Sequence, residues 1–321
     1  MITKTFNIDE ANINKRLDSF LSDILDDISR GLVQQLIEQG NVLVNELEVK
    51  KNYKLRLNDQ IQVILQFPEV IEDEPQNIPL DIVFENEDFY IINKQAGLTV
   101  HPGAGQKDNT LLNGLLYLNK KACELSRCGI VHRLDKETSG LMVVAKNHSS
   151  QTILTNLIKD RAIERKYYAL VHGNVISGGT IDEPIERHPK NRLIFTVDQE
   201  GKESKTHYLV KERYENFSLL DVKLETGRTH QIRAHLKHIG HPLFNDLEYG
   251  GDKVLKGTSF TKYKQFVENC FRLFPGQALH AKSLGFHHPT LNKEVNFDSE
   301  LPDYFLEVLN KWRRYTNSST F

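Results

Sequence analysis

The segment Gly129-Ile130-Val131-His132-Arg133-Leu134-Asp135-Lys136-Glu137-Thr138-Ser139-Gly140, running on into Leu141-Met142-Val143-Val144-Ala145-Lys146, decides how the rest of this chain is read. Apolar residues lead into it and out of it, so the polar middle is expected as a loop between two buried strands. That middle carries a carboxylate (Asp135), a guanidinium (Arg133), an imidazole (His132) and a Thr-Ser-Gly turn. A loop held by two buried strands is a rigid support on which one reactive carboxylate can be displayed. Taken alone, an Asp in such a loop reads as a turn cap on a charged hairpin.

Around this centre the composition is that of an ordinary globular protein. The 321 residues are 39% hydrophobic and 26% charged, enough for two domains or one large domain with an appendage. Cys123, Cys128 and Cys270 cannot all pair with one another, and the Cys-x4-Cys spacing has no second ligand pair, so reduced thiols and no zinc are expected. No apolar run approaches a membrane span and the N-terminus lacks a signal-type apolar core, so a cytoplasmic protein is expected. The net charge of −2 argues against a uniformly cationic nucleic-acid binder. Residues 129–240, however, carry 18 Lys/Arg against 14 Asp/Glu and eight of the 13 histidines, which permits a basic face there.

Along the chain, residues 1–12 read as an extended lead-in and 13–72 as a compact unit. Leu17, Phe20, Leu21, Ile24 and Leu25 recur at helical spacing, as do Leu32, Val33, Leu36 and Ile37. Ser29 is placed as the N-cap of the second helix and Gly40 as its end, with short strands at 42–45 and 60–64. Residues 73–80 have linker composition, and a large domain is expected over 81–321. It should open with a hairpin around residues 85–88, then a helix capped by Asp108 or Asn109. After the central motif come a helix capped by Ser149 or Ser150, a strand over 165–173, a β-rich insertion at 180–204 and a long hairpin turning at Glu215-Asn216. In the strand, alternation forces Tyr167 and Tyr168 to opposite faces. A helix is expected from Thr229 after the break at Gly227, and a last amphipathic helix over 301–312.

The order His132-Arg133-Leu134-Asp135-x-x-Thr138-Ser139-Gly140 resembles the central motif of the RluA/RluD family of RNA pseudouridine synthases. Further strings resemble that family in the right order: Asn93-Lys94-x-x-Gly97-x-x-Val100-His101-Pro102, Arg165-x-Tyr167-x-Ala169, and Gly227-Arg228-Thr229-His230-Gln231-Ile232-Arg233. Gln95 stands where a proline is usual, and Asn245 where a glycine is usual in the later Gly240-His241-Pro242-Leu243 string; Asn tolerates left-handed angles. Separately, Arg16-Leu17-Asp18, Ser29-Arg30 and Gly40-x-Val42-x-Val44-Asn45 resemble the S4 RNA-binding domain. The expected fold is therefore α+β: a mixed, largely antiparallel sheet with flanking helices, preceded by a small S4-like α/β domain.

The resemblance implies isomerisation of uridine to pseudouridine in structured RNA, most of all large-subunit rRNA; with no metal, P-loop or dinucleotide motif and no coiled coil or repeat in the sequence, no cofactor, no metal and a monomer are expected. It implies catalytic roles for Asp135, as nucleophile at ribose C1′ or base at C2′, for Arg228 as its ion-pair partner, and for Tyr167, which stacks on the base or relays its proton. RNA contacts are implied for Arg133, and more weakly for His132, in the cleft, and for Arg30, Lys50 and Lys51 in the S4-like module. Residues 13–72 nevertheless hold seven Lys/Arg and ten Asp/Glu, so the acids Asp23, Asp26 and Asp27 must face away from any phosphate. Competing readings are an RNA-binding, ribosome-assembly chaperone in which catalysis is dispensable, a tRNA-targeting synthase of the same family, and an N-glycosidase that releases uracil.

Overall fold

A computed structural model describes residues 2–25, 30–65, 74–103, 105–257, 260–288, 290–291 and 293–318. Ser29, Asp26 and Asp27 lie outside them, as does the side chain of Arg30. The chain divides into two compact units, Met1–Glu72 and Asp73–Phe321.

In the first unit, α1 (Leu17–Ile24) and α2 (Arg30–Glu38) pack on a four-stranded antiparallel sheet. Its strands are β1 (Ile2–Asn7), β2 (Val42–Val44), β3 (Leu47–Glu48) and β4 (Gln60–Leu65), in the order β1-β4-β2-β3. The expected lead-in is thus drawn into the sheet, with Ile2 to Asn7 pairing along β4. Helical spacing puts Leu17, Phe20 and Leu21 on one side of α1, and Val33, Leu36 and Ile37 on one side of α2. All six are buried against Val42, Val44, Ile61 and Val63. Gly40, at φ +74°, ends the α2 segment as expected.

The second unit is built on a nine-stranded sheet. In chain order its elements are β5 (Asp81–Glu85), β6 (Phe89–Lys94), α3 (Leu111–Leu118), β7 (Ser139–Ala145), α4 (His148–Lys159), β8 (Glu164–His172) and β9 (Gly179–Asp182). There follow a small separate ribbon of β10 (Ile185–Arg187) and β11 (Phe195–Val197), then β12 (Lys205–Arg213), β13 (Phe217–Leu224), α5 (Gln231–His238), α6 (Thr261–Phe271), β14 (Leu279–His287), β15 (Glu294–Asp298) and α7 (Asp303–Ser318). The spatial order is β5-β6-β7-β14-β8-β13-β12-β9, with β15 added on β14. Among the described residues every strand pairing in this sheet is antiparallel except the central one, β7 with β14.

Both faces of this sheet are covered, which explains the near-continuous apolar runs. Tyr90 and Ile92 of β6, Met142 and Val144 of β7, and Tyr167, Ala169 and Val171 of β8 point to the face covered by α3 and α5. Phe89, Ile91, Leu141 and Val143 point the other way, where α4 contributes Leu154. Leu170 joins Phe217, Phe305 and Trp312 beneath α6 and α7. Tyr167 is therefore committed to the α3/α5 face, while Tyr168 lies opposite under Lys211.

Several helix starts differ from expectation because a better-placed side chain wins the cap. Thr110 and Asn113 form a reciprocal capping box at α3, and Asn147 with Ser150 does so at α4. The start of α5 differs for another reason: His230, not Thr229, holds the N-cap position in a left-handed conformation, with no side-chain cap hydrogen bond. The strand expected before the central motif is absent: Arg127, Cys128 and Gly129 all have left-handed angles, and only Ile130 bridges to β7, at Val144.

Candidate active site

The polar loop between Ile130 and β7 is fixed at both ends by glycines that admit no side chain. A Cβ on Gly129 would stand 2.1 Å from the Ala145 carbonyl oxygen, and one on Gly140, at φ +111°, 2.3–2.7 Å from the Ala281 backbone. Between them the loop is fastened by side chains. His132 accepts the Val143 N–H on Nε2 at 3.0 Å, and burial pushes that imidazole down to about 3, so it stays neutral. Buried Lys94 donates from Nζ to the carbonyls of Gln95, Leu98 and Lys136, each at 2.9 Å, joining the Gly97 loop to the loop of Asp135. Burial lowers this amine to about 7 against the pull of Glu137 and Asp135. Thr138 accepts from Gln277, and Ser139 is bonded to His280.

Asp135 is partly exposed at the mouth of this arrangement and meets a guanidinium, but not the expected one. Arg228 is exposed and its Nε donates to the Glu203 carbonyl at 3.3 Å. The partner of Asp135 is Arg233, whose Nη1 lies 3.5 Å from Oδ2. The expected pair is corrected by the helix start: Arg228 precedes it in an exposed turn, whereas Arg233 stands in the first turn of α5. Side chains on a helix lean toward its N-terminus, which carries the Arg233 guanidinium back over the site.

Arg233 is held far more tightly by others than by Asp135. It is bidentate to buried Asp246 at 2.8 Å on both arms, and Nη2 meets Glu248 at 2.6 Å. The Tyr249 ring lies 4.8 Å beneath the guanidinium. Burial works against its charge, but Asp246, Asp135 and Glu248 raise its pKa further. The Asn245 turn that presents Asp246 has φ +58°, and the Asn245 amide bonds the carbonyls of Phe274 and Gly276, so the asparagine substitutes for glycine there.

Tyr167 is buried on β8, its pKa raised by burial first, lowered by Arg165 and raised by the nearby Asp135 carboxylate. Arg133 is exposed, two residues before Asp135; burial first, then Arg127 and Arg133, together lower half-buried His101 to about 4. In the first unit Lys50 is exposed, and Lys51 pairs with Glu38 at 2.8 Å. Asp23 is exposed as well. Asp246, Glu248, His230 and Tyr249 were not expected in the site. Their signal was the Arg-carboxylate complementarity of two adjacent strings, legible only once α5 is folded against the following turn. Among the described residues no group of three or more His, Cys, Asp or Glu could hold a metal ion, and no helix is long and apolar enough to cross a membrane.

Residues 88–238 match the model of a family described as RNA pseudouridylate synthase, and residues 15–61 match the S4 domain. The chain is 43% identical to ribosomal large subunit pseudouridine synthase D of Haemophilus ducreyi, covering 96% of this chain and 94% of that protein. It is 45% identical to the protein of the same name from Buchnera aphidicola, over 92% and 94% of the two chains. Among solved structures, human RNA pseudouridylate synthase domain containing 1 superposes with a TM-score of 0.54 at 26% identity, over 71% of this chain and 85% of that one.

Proposed function

From the premise that this chain belongs to the RNA pseudouridylate synthase family, we propose how its site performs the isomerisation and on which RNA. The enzyme converts uridine in RNA to pseudouridine, and the proposed substrate is large-subunit rRNA, the class named in its relatives. The observation that carries the mechanism is the Asp135–Arg233 pair beside buried Tyr167.

Isomerisation breaks the bond from ribose C1′ to N1 of uracil and makes one from C1′ to C5. N1 gains a proton and C5 loses one, so atoms and electrons balance within the nucleotide. Asp135 starts this by attacking C1′ or by taking the C2′ proton. Its loose 3.5 Å contact with Arg233 suits such a role: the guanidinium lies beside the carboxylate without gripping it, while Asp246 and Glu248 restrain that guanidinium. Tyr167 supplies an apolar face for the detached base. A uridine in a helix must be flipped out to reach this loop, and Arg133, which is exposed, is assigned to occupy the space it leaves. In the first unit, Lys50, Lys51 and Arg30 are assigned to the RNA backbone. The enzyme is proposed to act as a monomer in the cytoplasm.

Mapping pseudouridine in total RNA from cells with and without this gene tests the reading. Sites that disappear, and return with wild type but not with Asp135→Asn, support it. Sites restored by Asp135→Asn would remove Asp135 from the chemistry, and released uracil would indicate a glycosidase instead.

A further inference from the structure

Arg233 reaches only one oxygen of Asp135. The other, Oδ1, is faced by His230 Nε2 at 3.9 Å. The opposite edge of that imidazole is occupied: Nδ1 is 3.1 Å from the Tyr249 hydroxyl and 3.9 Å from Glu248. The same hydroxyl accepts the Phe195 N–H at 2.9 Å and stands 3.1 Å from the Phe195 carbonyl. Phe195 opens β11, so one phenol joins the β10–β11 ribbon, His230 and, through its ring face, Arg233.

A phenol has one proton to give. Given to the Phe195 carbonyl, it requires Nδ1–H on the imidazole, and a neutral ring then turns a bare lone pair toward Asp135. Given to Nδ1, it places the imidazole proton on Nε2, so an N–H dipole faces the carboxylate. Glu248 is as near to Nδ1 as Asp135 is to Nε2, but it is already paired with Arg233 at 2.6 Å, whereas Asp135 is held at 3.5 Å, so the second arrangement is favoured. Burial and Arg233 keep the ring neutral against the combined pull of Asp135, Glu248 and Asp246. At 3.9 Å the contact is longer than a hydrogen bond, and separations of this kind close when substrate fills a site.

We infer that His230 is a positioning residue for Asp135, its Nε2–H orienting Oδ1, and that Tyr249, anchored on the ribbon at Phe195, sets the tautomer and orientation of that imidazole. This rests on Asp135 being the reacting carboxylate. It also makes the seating of the ribbon, whose turn carries His188, Lys190 and Arg192, part of the geometry of the reaction.

The backbone supplies a discriminating pair of variants. His230 has φ +56°, a left-handed conformation that asparagine tolerates better than glutamine. The glutamine amide, however, reaches about where Nε2 stands, while that of asparagine reaches only to Nδ1. If His230 merely shapes the start of α5, His230→Asn should be the more active variant. If it positions Asp135, His230→Gln should be.

Single-turnover rates at saturating, unmodified large-subunit rRNA transcript, with the RNA Kd measured separately, decide between them. Expected are a rate within about tenfold of wild type for His230→Gln and about a hundredfold loss for His230→Asn, with Kd unchanged within about twofold. Tyr249→Phe keeps the ring under Arg233 but loses the tautomer lock, so about a tenfold loss is expected, with little further effect in the His230→Asn background. Equal or greater activity of His230→Asn, or losses that multiply in the double variant, would overturn the inference while wild type remains active. A wild-type enzyme that forms no pseudouridine on this RNA would overturn the proposed substrate instead.

Discussion

At the scale of single residues, the site separates two kinds of carboxylate. Asp246 is fully buried and bidentate to Arg233 at 2.8 Å, so its work is to hold the guanidinium; Asp135 is partly exposed and held at 3.5 Å, so it is free to react. Removing the guanidinium leaves buried Asp246 without its counter-charge, a loss that typically costs about 3–5 kcal/mol. Arg233→Gln should therefore lower Tm and reduce the single-turnover rate by about a thousandfold or more. Arg228→Ala should stay within about threefold of wild type, because among the described residues its exposed side chain hydrogen-bonds only the Glu203 carbonyl. Equal damage from both substitutions would contradict this assignment. The two arginines lie in one quoted string, five positions apart, and nothing in their spacing says which one faces Asp135.

At the scale of elements, the loop of Asp135 is displayed by what its flanks exclude. Gly140 pairs with Ala281 at the parallel contact of β7 and β14, where any Cβ would press on backbone that has no rotamer to change. Gly140→Ala should lower stability by about 3 kcal/mol or more, beyond the ordinary cost of a lost glycine, and should slow catalysis by displacing Asp135. Thermal unfolding together with the rate at saturating RNA measures both, and an unchanged Tm would refute the steric account. The helix and strand periods placed most elements, and alternation sent Tyr167 and Tyr168 to opposite faces. Caps were less legible. Asn147 and Thr110 compete locally with Ser149, Ser150, Asp108 and Asn109, and the winner depends on which side chain can reach the free N–H groups.

At the scale of the whole molecule, acid should unfold this protein through its buried imidazoles. His172 and His280 are each lowered to about 4, chiefly by burial, from an ordinary value near 6.5. The unfolded chain therefore takes up protons between about pH 6.5 and 4 while the folded protein does not. Stability is fully present above 6.5 and falls as pH drops through that window, by up to roughly 3 kcal/mol for each residue. A Tm that stays level from pH 7 to 4.5 would show that these rings are charged in the fold. For RNA binding, the assigned basic residues are few and the first unit carries an excess of acid. Lys50→Glu should weaken rRNA binding by about tenfold and reduce its salt dependence, leaving the rate at saturation unchanged. An unaltered Kd would place the RNA elsewhere.

The linear string alone determined the α+β class and the reaction class and singled out Asp135 as the carboxylate proposed to react, because each depends on local periods or on a contiguous motif. The tertiary structure alone decided the partner of Asp135 and the surroundings of that pair. Lys94, Asp135, Phe195, His230 with Arg233, and Asp246 with Tyr249 come from five separate stretches and share no spacing rule. They meet only because α5 packs against the sheet and carries the guanidinium of its first turn back over the loop that Gly129 and Gly140 hold in place.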